Sequence, residues 1–183
     1  MEVLNAISSR VSAVRLSEPG PTREQIDIIL KAAVRAPDHG RLSPWRLIVI
    51  EGAARDKLGQ AYADLKRRAN PENSDFDPGT EIAKAFRAPT IIAVGVDIRE
   101  NHKVPAIEQI LAAGAAVQNM FLAAHALGLG AMWKTGDLAY DANTKSLLGL
   151  KENDSIVAFL FVGTASKLPA PPTPNLAGCV KWL

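Results

Sequence analysis

The sequence predicts a three-layer domain of the α+β or α/β class, on three observations. The chain has 183 residues, of which 48% are apolar. A chain of this length buries roughly 70% of its surface on folding, so its core needs neither disulfides nor a structural metal. Helix patterns come first along the chain and strands separated by helices follow. Because neither a repeat nor a linker interrupts the sequence, we interpret residues 1–183 as one domain.

The first part of the chain is predicted to be mainly helical. Apolar residues at helical spacing predict a short helix over 2–10. Thr22 and Gln25 form a capping box that starts a second helix. Pro37 ends that helix by about Arg35, because proline disfavours helical dihedrals in the preceding residue. A strand over 46–50, an amphipathic helix over 54–68 and a polar surface loop over 69–80 follow.

The second part alternates between helices and strands. A short helix precedes Ala88. In the strand over 90–96 both the odd-numbered and the even-numbered positions are apolar, which indicates burial on both faces. Residues 109–133, 25 in all, carry no formal charge. Because this stretch is rich in Ala and Gly, we expect no membrane span but a helix over 105–127, buried all round in a core or subunit interface. The remaining predictions are a strand over 131–133, a helix from Asp141 through Leu148, a strand over 155–162 and an extended, proline-rich tail from Leu168 that needs a surface to lie on.

The charge distribution bears on the kind of ligand. The chain has 21 Lys plus Arg and 19 Asp plus Glu, a net charge of +2. Residues 1–70 hold 12 basic and 8 acidic groups, which favours this part for an anionic ligand. Nucleic acid is not expected as a partner, because the basic excess is small and aromatic residues are only 5%. The lone Cys179 and a start without a secretory pattern lead us to expect a cytoplasmic protein.

Several catalytic and metal-binding motifs are missing from the sequence. It has no P-loop, and the Gly128–Leu129–Gly130 run follows a helix, which is the reverse of the Rossmann order. The three histidines lack the close spacing of metal ligands. No nucleophile elbow is present, so Asp38 and His39 are not taken as a catalytic pair. We therefore predict no metal site and no acid-base catalytic residue.

Three polar segments remain as candidate functional sites: 8–12, 35–45 and 130–135. Arg10 offers planar donors and Ser12 a hydroxyl, both suited to a phosphate group. The second segment joins a helix to a strand, a position in which loops often carry function. In the third segment small residues let backbone approach a flat ligand, and Trp133 can cover it.

Taken together, these segments resemble the FMN-dependent nitroreductases, in particular the small NAD(P)H nitroreductase branch. The resemblance extends over about 160 residues and combines several motifs in a fixed order. They are the Arg10 and Ser12 pair, R-A-P-[DS]-x-x-x-x-x-P-W from Arg35, A-P-x-x-I-x-V from Ala88, A-G-A-A-x-Q-N-x-x-L-A-A-x-x-L-G-L-G-x-x-W from Ala113, and V-G-T from Val162.

The resemblance implies an α/β/α sandwich with a mostly antiparallel central sheet. It also implies a homodimer with FMN at the subunit interface and a C-terminal extension that reaches the partner. Part of the cofactor site would come from one subunit, and Arg35 or His39 would reach across from the other. The implied FMN-binding residues are Arg10, Val11 and Ser12 at the ribityl-phosphate end, Ala131, Met132 and Trp133 along the flavin, and Arg35 and His39 from the second segment.

The implied activity is a ping-pong transfer of electrons. A hydride passes from NAD(P)H to the flavin, and a nitroaromatic, quinone or similar small molecule then accepts the electrons. Two alternatives stay open: a flavin enzyme of different chemistry, such as enone reduction or dehalogenation, and a non-catalytic flavin-binding protein.

The chain departs from larger relatives at one position near the phosphate segment. Val14 stands where these often carry a basic residue, so Arg35, Arg41 or Lys134 would have to stabilise the reduced flavin. Lys167 is either a phosphate contact or a solvated surface lysine.

Overall fold

A computed structural model of the chain describes residues 1–73 and 75–183. In this part of the chain five strands form one sheet in which all pairs are antiparallel. The strands are β1 (Leu16–Ser17), β2 (Trp45–Glu51), β3 (Thr90–Val96), β4 (Gly130–Lys134) and β5 (Ser155–Ala165). β5 pairs with β3 along one edge and with β4 and β1 along the other. The end of β4 therefore lies at the border of the sheet.

Helices cover both faces of this sheet. The α-helices are α1 (Val3–Ser9), α2 (Arg23–Ala33), α3 (Ala54–Ala69), α4 (Pro78–Ile82), α5 (Ala106–Ala126) and α6 (Ala142–Leu147), with short 3-10 turns at His39–Arg41, Ala83–Phe86 and Asp137–Tyr140. One core cluster joins α2 and α5 to the face that carries Val94 and Leu160. A second joins α3 to the opposite face, which carries Phe159 and Phe161. The α/β/α sandwich is thus confirmed.

Local sequence signals account for several element ends. The Thr22 hydroxyl accepts from the Gln25 backbone N–H at 3.3 Å, and the Gln25 side chain accepts from the Thr22 N–H at 2.9 Å, which confirms the capping box. Asp141 caps α6 by accepting from the Thr144 N–H at 2.9 Å. The helix expected to reach Arg35 ends at Ala33, because the Arg35 N–H turns back to the Ala32 carbonyl.

The long helix α5 lies within a residue of each predicted end, and within a single chain one of its faces is exposed. Ile107 and Leu111 are 59% and 63% exposed, whereas Ala113, Val117 and Met120 are buried against the sheet and α2. By length and composition alone α5 could cross a membrane. Its buried face is packed into the core, as in the central helix of a globular domain. Composition alone could not distinguish its two faces.

Other differences concern short or exposed segments. Strand β1, which was not predicted, has only two residues and pairs with the end of β5. The predicted loop over 69–80 gives way to α4 at Pro78, and Ser74 lies outside the described residues. The tail over 166–183 is exposed along its length. Its apolar residues Leu176 and Trp182 are 70% and 93% exposed.

An ion-pair cluster joins the ends of β2 and β3. Asp97 binds Arg46 and accepts from the Lys151 ammonium at 2.9 Å. The hydrogen bond from Lys151 lowers the pKa of the Asp97 carboxyl below its usual 3.8. A lowered folded-state pKa stabilises the fold above the unfolded-state pKa, and this contribution disappears as the pH falls through the folded-state value.

We therefore expect Asp97→Asn to lower the free energy of unfolding at pH 7 by at most about 1 kcal/mol, since both cationic partners are exposed and solvent screens the pairs. The difference from wild type should become smaller from pH 7 to pH 2, as the pH falls toward the lowered folded-state pKa of Asp97. Urea unfolding at both pH values measures this. Asp27→Asn on α2 is the control. An Asp97→Asn deficit that is the same at pH 7 and pH 2 would contradict the assignment.

Candidate functional site

Two of the three predicted segments meet at the edge of the sheet. The Ala13 N–H donates to the Ala131 carbonyl at 2.8 Å, which places residues 10–12 beside the start of β4. Gly130 makes this approach possible. A Cβ there would lie 2.6 Å from the Ala165 Cβ and 2.7 Å from a Leu16 methyl.

Arg10 follows the last residue of α1 in an extended conformation. Its guanidinium carbon lies 4.5 Å from the centroid of the Phe121 ring on α5. Its Nε is buried and has no hydrogen-bond partner in residues 1–73 and 75–183. A buried donor without a partner costs about 1–3 kcal/mol. An unpaired guanidinium nitrogen beside the exposed Ser12 is therefore suited to an anionic ligand.

A second contact between α1 and α5 lies next to the first. The Ser9 hydroxyl and the His125 Nε2 are 2.8 Å apart. His125 follows Phe121 by four residues, so both lie on one face of α5. His125 thus has the hydrogen-bonded, structural position expected of a lone histidine in an apolar helix. The two contacts fix the end of α1 immediately before the predicted phosphate-binding residues.

Strand β4 supplies the second set of predicted residues. Ala131 is buried against α5, whereas Met132 faces the opposite core cluster, as the alternation of a strand requires. Trp133 is 41% exposed, and its Nε1 donates to the Val157 carbonyl at 2.9 Å. Val157 lies at an irregularity in the β3–β5 register. The indole is therefore held in place while much of its surface stays accessible.

Two hollows flank this edge of the sheet. One, of about 380 Å³, lies beside residues 8–12, the segment predicted to bind a phosphate. It is lined by Val14, Arg15, Ser166, Lys167 and Pro169. The other, of about 310 Å³, lies at the end of β4 and adjoins a further cleft of about 420 Å³. It is lined by Tyr62, Lys84, Arg87, Lys134, Thr135, Gly136 and Phe161.

Positive charge and one phenol characterise the hollow at the end of β4. Lys84, Arg87 and Lys134 all face it. Of these, Lys84 forms an ion pair with Glu81. Burial raises the pKa of the Tyr62 phenol, so this group stays protonated at neutral pH. The hollow therefore suits a ligand with hydrogen-bond acceptors or negative charge.

The third predicted segment lies apart from the other two. Arg35 and His39 are exposed, and neither has a hydrogen bond to residues 10–12 or 131–133 in the part of the chain that is described. The His39 imidazole instead contacts the Glu108 carboxylate on α5. Asp38 closes the loop by accepting from the Ser43 N–H at 2.6 Å. Within one chain the structure thus places Arg10, Val11 and Ser12 beside the start of the strand that carries Ala131, Met132 and Trp133.

Sequence reasoning missed Phe121 as a contact of Arg10, because an aromatic residue in an apolar helix has the pattern of an ordinary core residue. The i, i+4 spacing of Phe121 and His125 was the available signal. Among the described residues no group of three or more His, Cys, Asp or Glu side chains could hold a metal ion.

The class of protein follows from comparison of this fold with solved structures. A nitroreductase-like protein from Bacillus cereus superposes with a TM-score of 0.84 at 24% identity, over 100% of this chain and 96% of the other. A Desulfovibrio desulfuricans protein solved in complex with FMN superposes with a TM-score of 0.75 at 28% identity, over 98% and 95%. The fold is that of the nitroreductase-like proteins.

Sequence comparison identifies the family. Residues 7–164 match the Nitroreductase family. The Escherichia coli K12 relative named "Putative NAD(P)H nitroreductase YdjA" is 43% identical over 164 residues, which cover 90% of this chain and 88% of the relative. A Haemophilus influenzae relative with the same NAD(P)H nitroreductase designation is 36% identical over 170 residues, covering 90% and 89%. The chain belongs to the nitroreductase family of oxidoreductases.

Proposed function

We propose that this chain, as one domain, is an FMN-dependent oxidoreductase that takes a hydride from NAD(P)H and reduces nitroaromatic, quinone or similar acceptors by a ping-pong mechanism. The observation that carries this proposal is the buried Nε of Arg10, beside Ser12 and β4, which has no hydrogen-bond partner among the described residues. The designation of the relatives and the FMN complex of a 28% identical protein support it.

The residues at the sheet edge fit the parts of FMN. Arg10 and Ser12 offer a guanidinium and a hydroxyl to the phosphate, with Val11 between them, and Lys167 lines the adjacent hollow. Along the border strand β4, the backbone of residues 131–133 and the exposed, fixed indole of Trp133 are available to the flavin. When bound, FMN supplies the electron-carrying chemistry. The protein's part is to bind and orient it, so no acid-base pair is required.

We assign Arg35 and His39 to the same site through a second copy of the chain. Both are exposed, and His39 contacts Glu108 near the start of α5, whereas Arg10 contacts Phe121 nearer its end. Ile107 and Leu111 on α5, and the tail with Trp182 at 93% exposure, present apolar surface to solvent. A homodimer would bury these surfaces, with the tail lying on the partner.

Because its one cysteine forms no internal disulfide, we place the protein in the cytoplasm.

Sedimentation tests this assembly, and we expect a dimer at micromolar concentration with FMN bound. Removing residues 168–183 should weaken the dimer, because it removes the exposed apolar tail. A monomer that retains FMN would contradict the assignment of Arg35 and His39 across an interface.

The proposed activity is tested by absorbance spectra of the FMN-loaded protein under anaerobic conditions, before and after addition of NADH and, separately, of NADPH. We expect flavin bands that bleach with at least one of the two and return when a nitroaromatic is added. Protein that binds FMN without bleaching would be a non-catalytic flavin carrier. Bleaching with turnover only of enones or halogenated substrates would indicate different chemistry. Protein that stays colourless with added FMN would overturn the proposal.

At the position of Val14 larger relatives often carry a basic residue. We further propose that in this chain Lys134 supplies that positive charge instead. Of the three cations considered, Lys134 directly follows residues 131–133 and shares a hollow with Lys84 and Arg87. A cation near the flavin favours its reduced, anionic form.

Lys134→Met should therefore lower the midpoint potential of the bound flavin by about 10–30 mV, because removing a partly solvated charge costs about 1 kcal/mol. Equilibration with reference dyes measures this potential. Lys151→Met, which removes a lysine paired with Asp97, is the control. An unchanged potential in Lys134→Met would remove Lys134 from this role.

A further inference from the structure

We propose that Phe121 is a positioning residue for phosphate recognition, acting through Arg10 without contacting the ligand. This inference rests on the proposed function, in which Arg10 binds the phosphate of FMN. The Phe121 side chain is 3% exposed, and the Arg10 guanidinium carbon lies 4.5 Å from its ring centroid. The ring is therefore covered by the arginine and has almost no surface left for another partner.

The physical effect of this contact is to fix the arginine before the ligand arrives. A guanidinium is attracted to an aromatic face, and its planar shape lets it lie flat there. A long side chain held in one rotamer loses less conformational freedom when it binds, which improves affinity. The buried Nε shows the cost of this arrangement, since the donor is kept away from water and has no partner in the part of the chain that the structure describes.

Helix α5 holds the same region at a second point. The hydrogen bond between Ser9 and His125 fixes the residue before Arg10. Phe121 and His125 lie on one face of α5, so the guanidinium and the backbone that carries it are attached to the same rigid element. Phe121 acts on the side chain of Arg10, whereas His125 acts on the end of α1.

A purely structural role for Phe121 must be separated from a positioning role, because its ring also belongs to the core cluster of α5. Comparison of FMN with riboflavin achieves this, since the two ligands differ only by the phosphate. Damage to the whole site weakens the binding of both ligands. Misplacement of Arg10 weakens the binding of FMN alone.

The experiment measures the dissociation constants of FMN and riboflavin by flavin fluorescence titration of the apoprotein. We expect Phe121→Leu to weaken FMN binding about three- to tenfold, with riboflavin within about twofold of wild type. Phe159→Leu is the matched control, because it removes a fully buried ring from the other core cluster. Its ratio of FMN to riboflavin affinity should equal that of wild type. Phe121→Met, which fills more of the space, serves if Phe121→Leu does not fold.

Each outcome bears on one of the two claims. Equal losses for FMN and riboflavin in the Phe121 variants, or no loss for either, would overturn the positioning role. In an Arg10→Ala background, Phe121→Leu should cause no further loss of FMN affinity, and additive losses would also overturn it. Wild-type protein that binds FMN no better than riboflavin would instead overturn the phosphate contact of Arg10, and the inference would fall with it.

Discussion

Arg10→Ala should weaken FMN binding by about 10- to 150-fold. The substitution removes a charge-assisted contact to a phosphate, which contributes about 1.5–3 kcal/mol. In the free protein the substitution also removes the contact between the guanidinium and the Phe121 ring, which contributes about 0.5–2 kcal/mol, whereas the buried Nε has no hydrogen-bond partner to lose among the described residues. The loss in FMN binding should therefore exceed the loss in stability. Fluorescence titration of the apoprotein with FMN measures the affinity, and thermal unfolding without FMN measures stability.

The control for Arg10→Ala is Arg23→Ala, which removes an exposed arginine that pairs with Asp27 on α2. Its FMN affinity should match wild type. Riboflavin provides a second control, because it lacks the phosphate and should bind Arg10→Ala as it binds wild type. An FMN affinity for Arg10→Ala within twofold of wild type would exclude Arg10 from the site.

The elements of this fold were largely predictable because their signals are local. The Thr22 capping box, the Asp141 cap and the apolar run of β3 each specify an element through neighbouring residues. β1 was missed because a two-residue strand has no periodicity and exists only through pairing with β5. One face of α5 is exposed within a single chain, whereas the prediction was burial in a core or a subunit interface. Its neutral, Ala-rich sequence does not distinguish a face packed on the sheet from one left exposed in a single chain.

The candidate site was predictable as separate segments but not as an arrangement. Arg10 and the β4 residues carry recognisable motifs, yet the hydrogen bond that joins them connects Ala13 to Ala131, far apart in sequence. The contact of Phe121 with Arg10 could not be predicted, because a buried aromatic residue has the same sequence pattern with or without a cation on its face. Distances of this kind depend on how α1 packs against α5, which no local pattern determines.

The second large effect expected concerns a buried glutamine in α5. Gln109 is 1% exposed, and its Oε1 accepts from the Arg99 N–H at 2.9 Å. Its Nε2 donates to the carbonyls of Arg99 and Val104 at 3.1 and 3.0 Å. Arg99 in turn donates to the Leu42 carbonyl at 2.9 Å. A single side chain thus joins α5 to the loop after β3 and, through Arg99, to the segment that holds His39.

Gln109→Leu should lower the free energy of unfolding by about 3–5 kcal/mol. It leaves three backbone groups without partners, of which the Val104 carbonyl is buried and the two Arg99 groups are part-buried, and a lost partner costs about 1–3 kcal/mol per buried group. For a chain of this size the melting temperature should fall by about 6–20 °C. Circular dichroism during heating measures this shift, and hydrogen exchange should show faster exchange of the Arg99 amide.

Gln118→Leu is the matched control, because the same change occurs on the same helix at a half-exposed position. Its free energy of unfolding should fall by less than about 1 kcal/mol, as for most surface substitutions. A loss in Gln109→Leu as small as that of the control would mean that water reaches the freed backbone groups. In that case the loop after β3 would not depend on α5, and Arg99 would hold the Leu42 carbonyl without help from Gln109.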